Sequence, residues 1–433
     1  MKALSLALAA CLLLASAAHA QVPLDLREAV RLARDNSLAT QQGLAQVRVA
    51  QATRQQTVGK ALPTLTTQVA ADYNELPGGS GAALGGLNLV GFPASGVTVD
   101  TTVSGSVVLF DAFATRDAIA MADDQVRISQ LAAEQAQQDA MANAAVDYFD
   151  VLRAEGLTDV ARTTVKQAQD HLRLGNAKLI AGLATQADLQ QLKAELANAQ
   201  DTLTQQTNAV NLARLTLANA INAPLGDRPL SDTAAVPTLN VPLGPSLTSM
   251  VTRRPEYQQA ALRVQADEMQ ASLYSRQLWP NLQGTTRYSM RGLSQGELVA
   301  GVNLNWTLFD GMQVRNQMAE ASSQAQADSL SLEQTRQQLA LGIAQQYQTL
   351  QESTQRVTTT REGLASAQIA YDLMVKRYQV GLSTLFELID SQATLVQSEN
   401  NYIQAVNDQR VAQIRLARAL GIDLAKYLGL PTS

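Results

Sequence analysis

Cysteine is nearly missing from this chain: Cys11 is the only one in 433 residues, and it lies in the apolar leader. Beyond the leader that excludes disulfides, thiolate nucleophiles and zinc cages. Histidine is almost as scarce, with only His19 and His171, so no pair exists to hold a metal or relay a proton. His171, alone on a long helix, is expected at the surface. Aromatic residues make up 4 % of the chain against 46 % hydrophobic, a balance that suits long helices better than a compact aromatic-cored enzyme. No basic cluster exceeds "TRRP" (252–255) and the net charge is −5, which argues against a nucleic-acid partner. There is no "GxxxxGK[ST]" phosphate cradle and no nucleophile–base set. Neither catalysis nor a cofactor is expected. After the leader, no run approaches the roughly 18 apolar residues of a membrane-crossing helix, so any insertion into lipid has to use strands.

The leader itself is informative. "MK" is followed by the apolar "ALSLALAACLLLASA" and by "AHA" before Gln21, the form of an export signal with cleavage after Ala20. A second reading takes "LAAC" (8–11) as the box before a lipid-modified Cys11.

Ala, Gln and Leu dominate the rest, and the rest is written twice. "SGSVVLFDAFATRDAIAMA" (104–122) matches "NLNWTLFDGMQVRNQMAEA" (303–321), and the copies then run at an offset of 199 for about 110 positions. Tyr148 pairs with Tyr347, Gly182 with Gly381, and "LANAI" (217–221) with "LARAL" (416–420). Upstream, "ALPTL" (61–65) matches "LWPNL" (278–282) at an offset of 217, so the first copy carries 18 extra residues, placed in the Gly-rich stretch 76–96. The division expected is a leader at 1–20, a first repeat at 21–221, a linker at 222–245 and a second repeat at 246–433. Each repeat reads as helix, strand pair, very long helix, Gly-Leu turn, helix. Ile343, Leu350, Val357, Leu364, Tyr371 and Tyr378 step by seven, as do Leu189, Leu196, Leu203, Val210 and Leu217. Val151, Val165, Leu172 and Leu179 are the first-copy counterparts. Sustained sevens mean laterally packed, supercoiled helices.

Four segments, about 64–75, 97–110, 280–291 and 297–309, alternate with period two. Leu65, Val69 and Tyr73 oppose Thr66, Gln68 and Asp72; Val99, Val103 and Val107 oppose Asp100, Thr102 and Ser104. Leu282, Tyr288 and Met290 oppose Gln283, Arg287 and Arg291; Leu298, Val302, Leu304 and Trp306 oppose Asn303 and Asn305. This is the pattern of barrel strands with one face in lipid and one in water, and equally of a soluble sheet packed on a core. In lipid, four strands leave open edges, so several chains have to contribute; a trimer supplies twelve.

The two-copy layout, the "LP" and "WP" openings at Leu62-Pro63 and Trp279-Pro280, the "LFD" exits at 109–111 and 308–310, and the "GLxT"-like turns at Gly182 and Gly381 together resemble the TolC family of outer-membrane efflux channels. The resemblance covers essentially the whole mature chain. It implies a mixed α and β membrane protein: a homotrimer whose long α-helical periplasmic barrel is continuous with a 12-stranded transmembrane β-barrel. An equatorial belt comes from the linker and the C-terminal segment. It implies residence in the outer membrane of a Gram-negative bacterium, in contact with its lipid and extending into the periplasm. The function implied is a passive exit duct of a tripartite efflux pump, partnered by a periplasmic membrane-fusion adaptor and an inner-membrane transporter of RND, ABC or MFS type. Type I protein secretion is the alternative duct; an exported coiled-coil interaction protein is the alternative without a pore.

Glycine permits the tight reversal at Gly182 and Gly381, and Thr185 and Thr384 can cap the returning helices. With Leu183 and Leu382 these form the turns that would meet an adaptor. The resemblance makes Glu387 and Asp390 acidic rings at a constriction, with Glu where the family has Asp; the alternative is that they and Asp188 only favour a helix N-terminus. It also makes Tyr378 a gate residue within reach of Asp188, while Ser383 replaces the arginine of a second gate link. Asp111 and Asp310 are expected to cap helices, and Tyr73, Tyr288 and Trp306 to lie at the lipid interface.

Overall fold

A computed structural model describes residues 23–74, 83–84, 87–88, 96–226, 228–231, 236–237, 239, 247–291 and 296–430. The segment expected as an export leader, with Cys11 and Ala20, most of the Gly-rich stretch 76–96 and much of the segment 222–245 expected as a linker lie outside the described residues. Besides a short antiparallel ladder of Ala83–Leu84 with Leu87–Asn88, the elements are α1 (Leu26–Asn36), α2 (Leu38–Gly59), β1 (Thr64–Asn74), β2 (Gly96–Phe110), α3 (Ala114–Ile180), α4 (Gln186–Ile221), α5 (Leu247–Thr252), α6 (Pro255–Arg276), β3 (Asn281–Arg291), β4 (Glu297–Asn305), α7 (Gln313–Gln379), α8 (Leu385–Ala419) and α9 (Leu424–Tyr427). Helix, strand pair, long helix, turn and helix therefore follow one another twice. Proline explains several boundaries. Among the described residues none lies inside a helix; Pro255 opens α6, where its missing N–H costs nothing. No described helix is long and apolar enough to cross a membrane.

Two compact units form, each drawing on both copies: Met1–Ala45, Leu131–Gln258 and Gln334–Ser433 in one, Gln46–Gln130 and Gln259–Glu333 in the other. In the first unit the steps of seven on α7 are as expected at Ile343, Val357, Tyr371 and Tyr378, all buried. On α3 the expected row is deeply buried only at Val151; Val165, Leu172 and Leu179 are half-buried. The deep row is instead Ala154, Ala161, Ala168 and Gly175, also seven apart. Small side chains let neighbouring helices approach: a Cβ on Gly175 would lie 2.2 Å from Leu192 Cδ1 of α4.

The same unit has its main apolar core where Leu24, Leu26 and Val30 meet Met141, Tyr148, Phe149, Leu217, Ile221 and Ile414. Beside it lies a charge network. Glu256 receives Arg254 Nη2 at 2.7 Å and Arg418 Nη2 at 2.8 Å, Arg418 Nε reaches Asp139 at 2.6 Å, and Arg254 Nη1 donates to the Arg418 carbonyl at 2.9 Å. Arg254 thus closes the C-terminus of α8 while pairing with the first turn of α6. Burial pushes the Glu256 carboxyl up, but the Arg254 hydrogen bonds and the two guanidinium charges outweigh it and pull it down to about 2. A depressed carboxyl contributes stability above its unfolded value of 4.5 and loses it as the pH falls toward 2. Glu256→Gln is expected to lower unfolding stability at neutral pH by about 3 kcal/mol. In urea titrations the difference should shrink below about pH 4. A deficit independent of pH would refute this account.

In the second unit the sheet order is β1-β2-β3-β4, antiparallel throughout, so β2–β3 pairing joins the two repeats. Register separates the faces as the alternation predicts. Thr67, Val103, Tyr288 and Leu298 form one row; Thr66, Ser104, Arg287 and Val299 form the next, on the opposite face, mostly polar. The first face also carries Leu65, Val69, Met290 and Val302, and the second carries Gln68, Thr102, Gln283 and Asn303. The side chain of Arg291 lies outside the described residues. The last strand differs from expectation: β4 ends at Asn305, not near 309, because Asn305 pairs with Asn281, the first residue of β3 after Pro280. Beyond it Trp306 folds back and donates its indole N–H to the Leu278 carbonyl at 3.1 Å.

Candidate functional site

Both helical hairpins turn by the same device. Gly182 and Gly381 stand at φ 71° and 79°, conformations that glycine adopts without strain. Leu183 N–H reaches back to the Lys178 carbonyl at 2.8 Å and Gly182 N–H to Leu179 at 3.0 Å; Leu382 and Gly381 repeat this on Arg377 and Tyr378 at 2.8 and 3.2 Å. This pattern satisfies the last carbonyls of α3 and α7. Two residues later the returning helices open with matching capping boxes. Thr185 Oγ1 accepts from Asp188 N–H at 3.1 Å and the Asp188 carboxylate accepts from Thr185 N–H at 2.8 Å; Thr384 and Glu387 do the same at 3.3 and 2.8 Å. These bonds hold both carboxyls below their ordinary values.

Asp188 and Glu387 are therefore helix-capping groups in this geometry. Asp390, three residues on, is exposed and shares a helix face with Glu387. The turns also expose apolar side chains: Leu183 and Leu382 at 76 % and 70 %, together with Ile180, Val380 and Phe386.

No hydrogen bond joins Tyr378 to Asp188, whose carboxylate closes on Thr185. Tyr378 is buried at 5 % exposure, and its neighbour is Lys178 of the other hairpin. The ammonium lies 3.9 Å from the ring centroid and donates to the Tyr378 carbonyl. Burial, with a smaller contribution from Asp188, raises the Tyr378 hydroxyl. Seven residues earlier on both helices, His171 Nε2 lies 3.1 Å from Tyr371 Oη and His171 Nδ1 lies 3.4 Å from Glu195 Oε1 of α4. His171 is 5 % exposed, not the surface residue expected. The signal that could have found it was its place beside the Ala168 and Gly175 row of α3.

At the strand-to-helix junctions Asp111 and Asp310 cap as expected. Asp111 Oδ2 accepts from Thr115 N–H at 2.7 Å, and Asp310 accepts from Met312 and Val314 N–H at 3.0 and 2.8 Å. Tyr73, Tyr288 and Trp306 are all exposed in the protomer, the first two on the apolar sheet face.

Comparison with known proteins places these features in context. The family model described as Outer membrane efflux protein matches residues 29–223 and 247–422. Outer membrane efflux protein BepC of Brucella suis is 24 % identical over 332 residues, covering 75 % of this chain and 72 % of that protein. Pyoverdine export outer membrane protein OpmQ of Pseudomonas putida is 23 % identical over 407 residues, 92 % of this chain and 86 % of that one. The CmeC outer membrane channel of Campylobacter jejuni shares the fold, with a TM-score of 0.81 at 14 % identity over 92 % of this chain and 86 % of that chain.

Proposed function

Since the chain belongs to the outer membrane efflux protein family, it is an outer-membrane efflux channel, and we propose that three copies close their sheets into one twelve-stranded pore. The observation that carries the assembly is the sheet itself. One face is apolar and the other mostly polar, and β1 and β4 remain as open edges. In lipid an open edge leaves backbone groups without partners, so β1 of one copy has to meet β4 of the next. The polar rows then line the water-filled side, and Tyr73 and Tyr288 face the lipid boundary beside Trp306.

The hairpin turns are proposed as the docking surface for a periplasmic adaptor. Their exposed leucines offer apolar contact, and the rigid Gly-turn and capping-box geometry fixes where those leucines stand. An inner-membrane transporter is proposed to supply the energy and most of the substrate choice. Asp390, with Glu387, is proposed as the charged constriction, and Tyr378 with Lys178 as a contact that holds the hairpins together.

Planar-bilayer recording of the purified protein tests the duct. Discrete steps from a preparation that cross-links as a trimer are expected. A folded trimer that stays silent even with Lys178→Ala removing the contact between its hairpins would exclude the pore.

A further inference from the structure

Two polar contacts join α3 to α7 near the turns, and they are spaced as rungs: His171 to Tyr371 and Lys178 to Tyr378, each pair 200 residues apart and the two rungs one heptad apart. Elsewhere along the same helices the buried residues are mostly apolar, such as Ala161 and Val357, and the buried hydroxyls of Thr158 and Ser353 bond within their own helices. Polar groups lose less than apolar ones on meeting water, so this end of the seam separates more readily than the rest.

We propose that His171 is a proton-responsive latch between the two hairpins, tightening the seam when it takes up a second proton. The proposal rests on the reading of the chain as a gated channel. Glu195, facing Nδ1, keeps the imidazole proton there, which leaves Nε2 to accept the Tyr371 O–H. A second proton turns Nε2–H into a donor toward the tyrosine oxygen, and a charge-assisted bond is about twice as strong as a neutral one. The Tyr371 O–H stays on the tyrosine and turns away from the imidazole. Burial, with a smaller contribution from the Glu195 carboxylate, raises this hydroxyl to about 12, so it does not give up its proton.

Asp170 and Arg173 from α3, Glu195 from α4, and Asp372 and Lys376 from α7 flank the pair. Arg173 is itself tied to Asp170 at 2.7 Å. Helix α8 presents Leu385, Leu388 and Leu395 to the apolar cluster that holds Tyr371. The acids among these groups outnumber the bases.

Untagged protein is recorded in planar bilayers at about pH 7.5 and about pH 5.5, a range that histidine side chains sense. The open fraction of the wild type is expected to fall about fivefold on acidification. His171→Gln and Tyr371→Phe should raise the open fraction at the higher pH and abolish its pH dependence. A wild-type response retained by His171→Gln overturns the latch while leaving the channel intact; a wild type with no steps under either condition, whose Lys178→Ala variant is silent too, overturns the channel reading as well. Nitrogen-15 spectra of the single histidine of the processed chain give a readout that needs no variant. They should show the Nδ1–H tautomer at the higher pH and the imidazolium at the lower, and an Nε2–H tautomer overturns the proposal.

Discussion

Truncation of Tyr148 to alanine is expected to cost about 3–5 kcal/mol, the range for deleting a large side chain from a packed core. The side chain is fully buried and meets Phe149 edge-on, with ring centroids 5.9 Å apart. Its hydroxyl lies 2.6 Å from the Ser231 carbonyl and 2.9 Å from that of Leu24, and it accepts Ser231 N–H at 3.1 Å. Those contacts pin the parallel bridge between Leu24 and Leu230, so the N-terminal segment and the linker are both fastened through one ring. Tyr148→Phe keeps the ring and removes only the hydroxyl, for which about 1–2 kcal/mol is expected. The repeat supplies an internal control. Tyr347, the counterpart in the second copy, is only half-buried beside Ile343 and Leu416, and Tyr347→Ala should cost clearly less. Urea unfolding followed by helical circular dichroism compares the three. Equal losses at Tyr148 and Tyr347 would contradict the asymmetry between the copies.

That asymmetry shows where sequence was a good guide. The 199-residue offset placed Gly182 opposite Gly381 and Thr185 opposite Thr384, and both turns use the same backbone bonds because the same local chemistry is written twice. The alternation of β1 to β4 was equally legible, since strand faces follow from a period of two. Four features were not. The true end of β4 depends on where its partner begins, which Pro280 sets from another segment. The deep row on α3 consists of alanines and a glycine, whose role is to let a neighbour in, and Leu192 cannot be identified from α3 alone. His171 looks isolated along the chain, while its partners Glu195 and Tyr371 come from two other helices. Arg254, Glu256, Arg418 and Asp139 escaped notice for the same reason: each is ordinary locally, and only the packing of three helices makes a network of them.

Replacing Asp390 by Asn is expected to remove most of the cation preference of the pore, and Glu387→Gln much less of it. Both acids lie on one face of α8, and three copies of each would ring the narrow end. They are not equivalent. Glu387 is turned back onto Thr384, where its carboxylate accepts the backbone N–H, and glutamine can fill that place in a capping box as well. Asp390 is exposed, and its charge is free to act on passing ions. Rings of like charge at a constriction concentrate counter-ions by about tenfold or more at low salt, and the effect should fade as salt shortens the screening length. Acid gives a second handle. Because the Thr384 hydrogen bonds hold the Glu387 carboxyl below its ordinary value, its charge should persist when the pH is lowered to about 5. The small selectivity left in Asp390→Asn should therefore survive that change. Reversal potentials in asymmetric salt measure all of this on one preparation. If Glu387→Gln and Asp390→Asn lower selectivity equally, the capping box does not hold Glu387 away from the conducting path. If neither changes it, the constriction lies elsewhere and both acids serve only the N-terminus of α8.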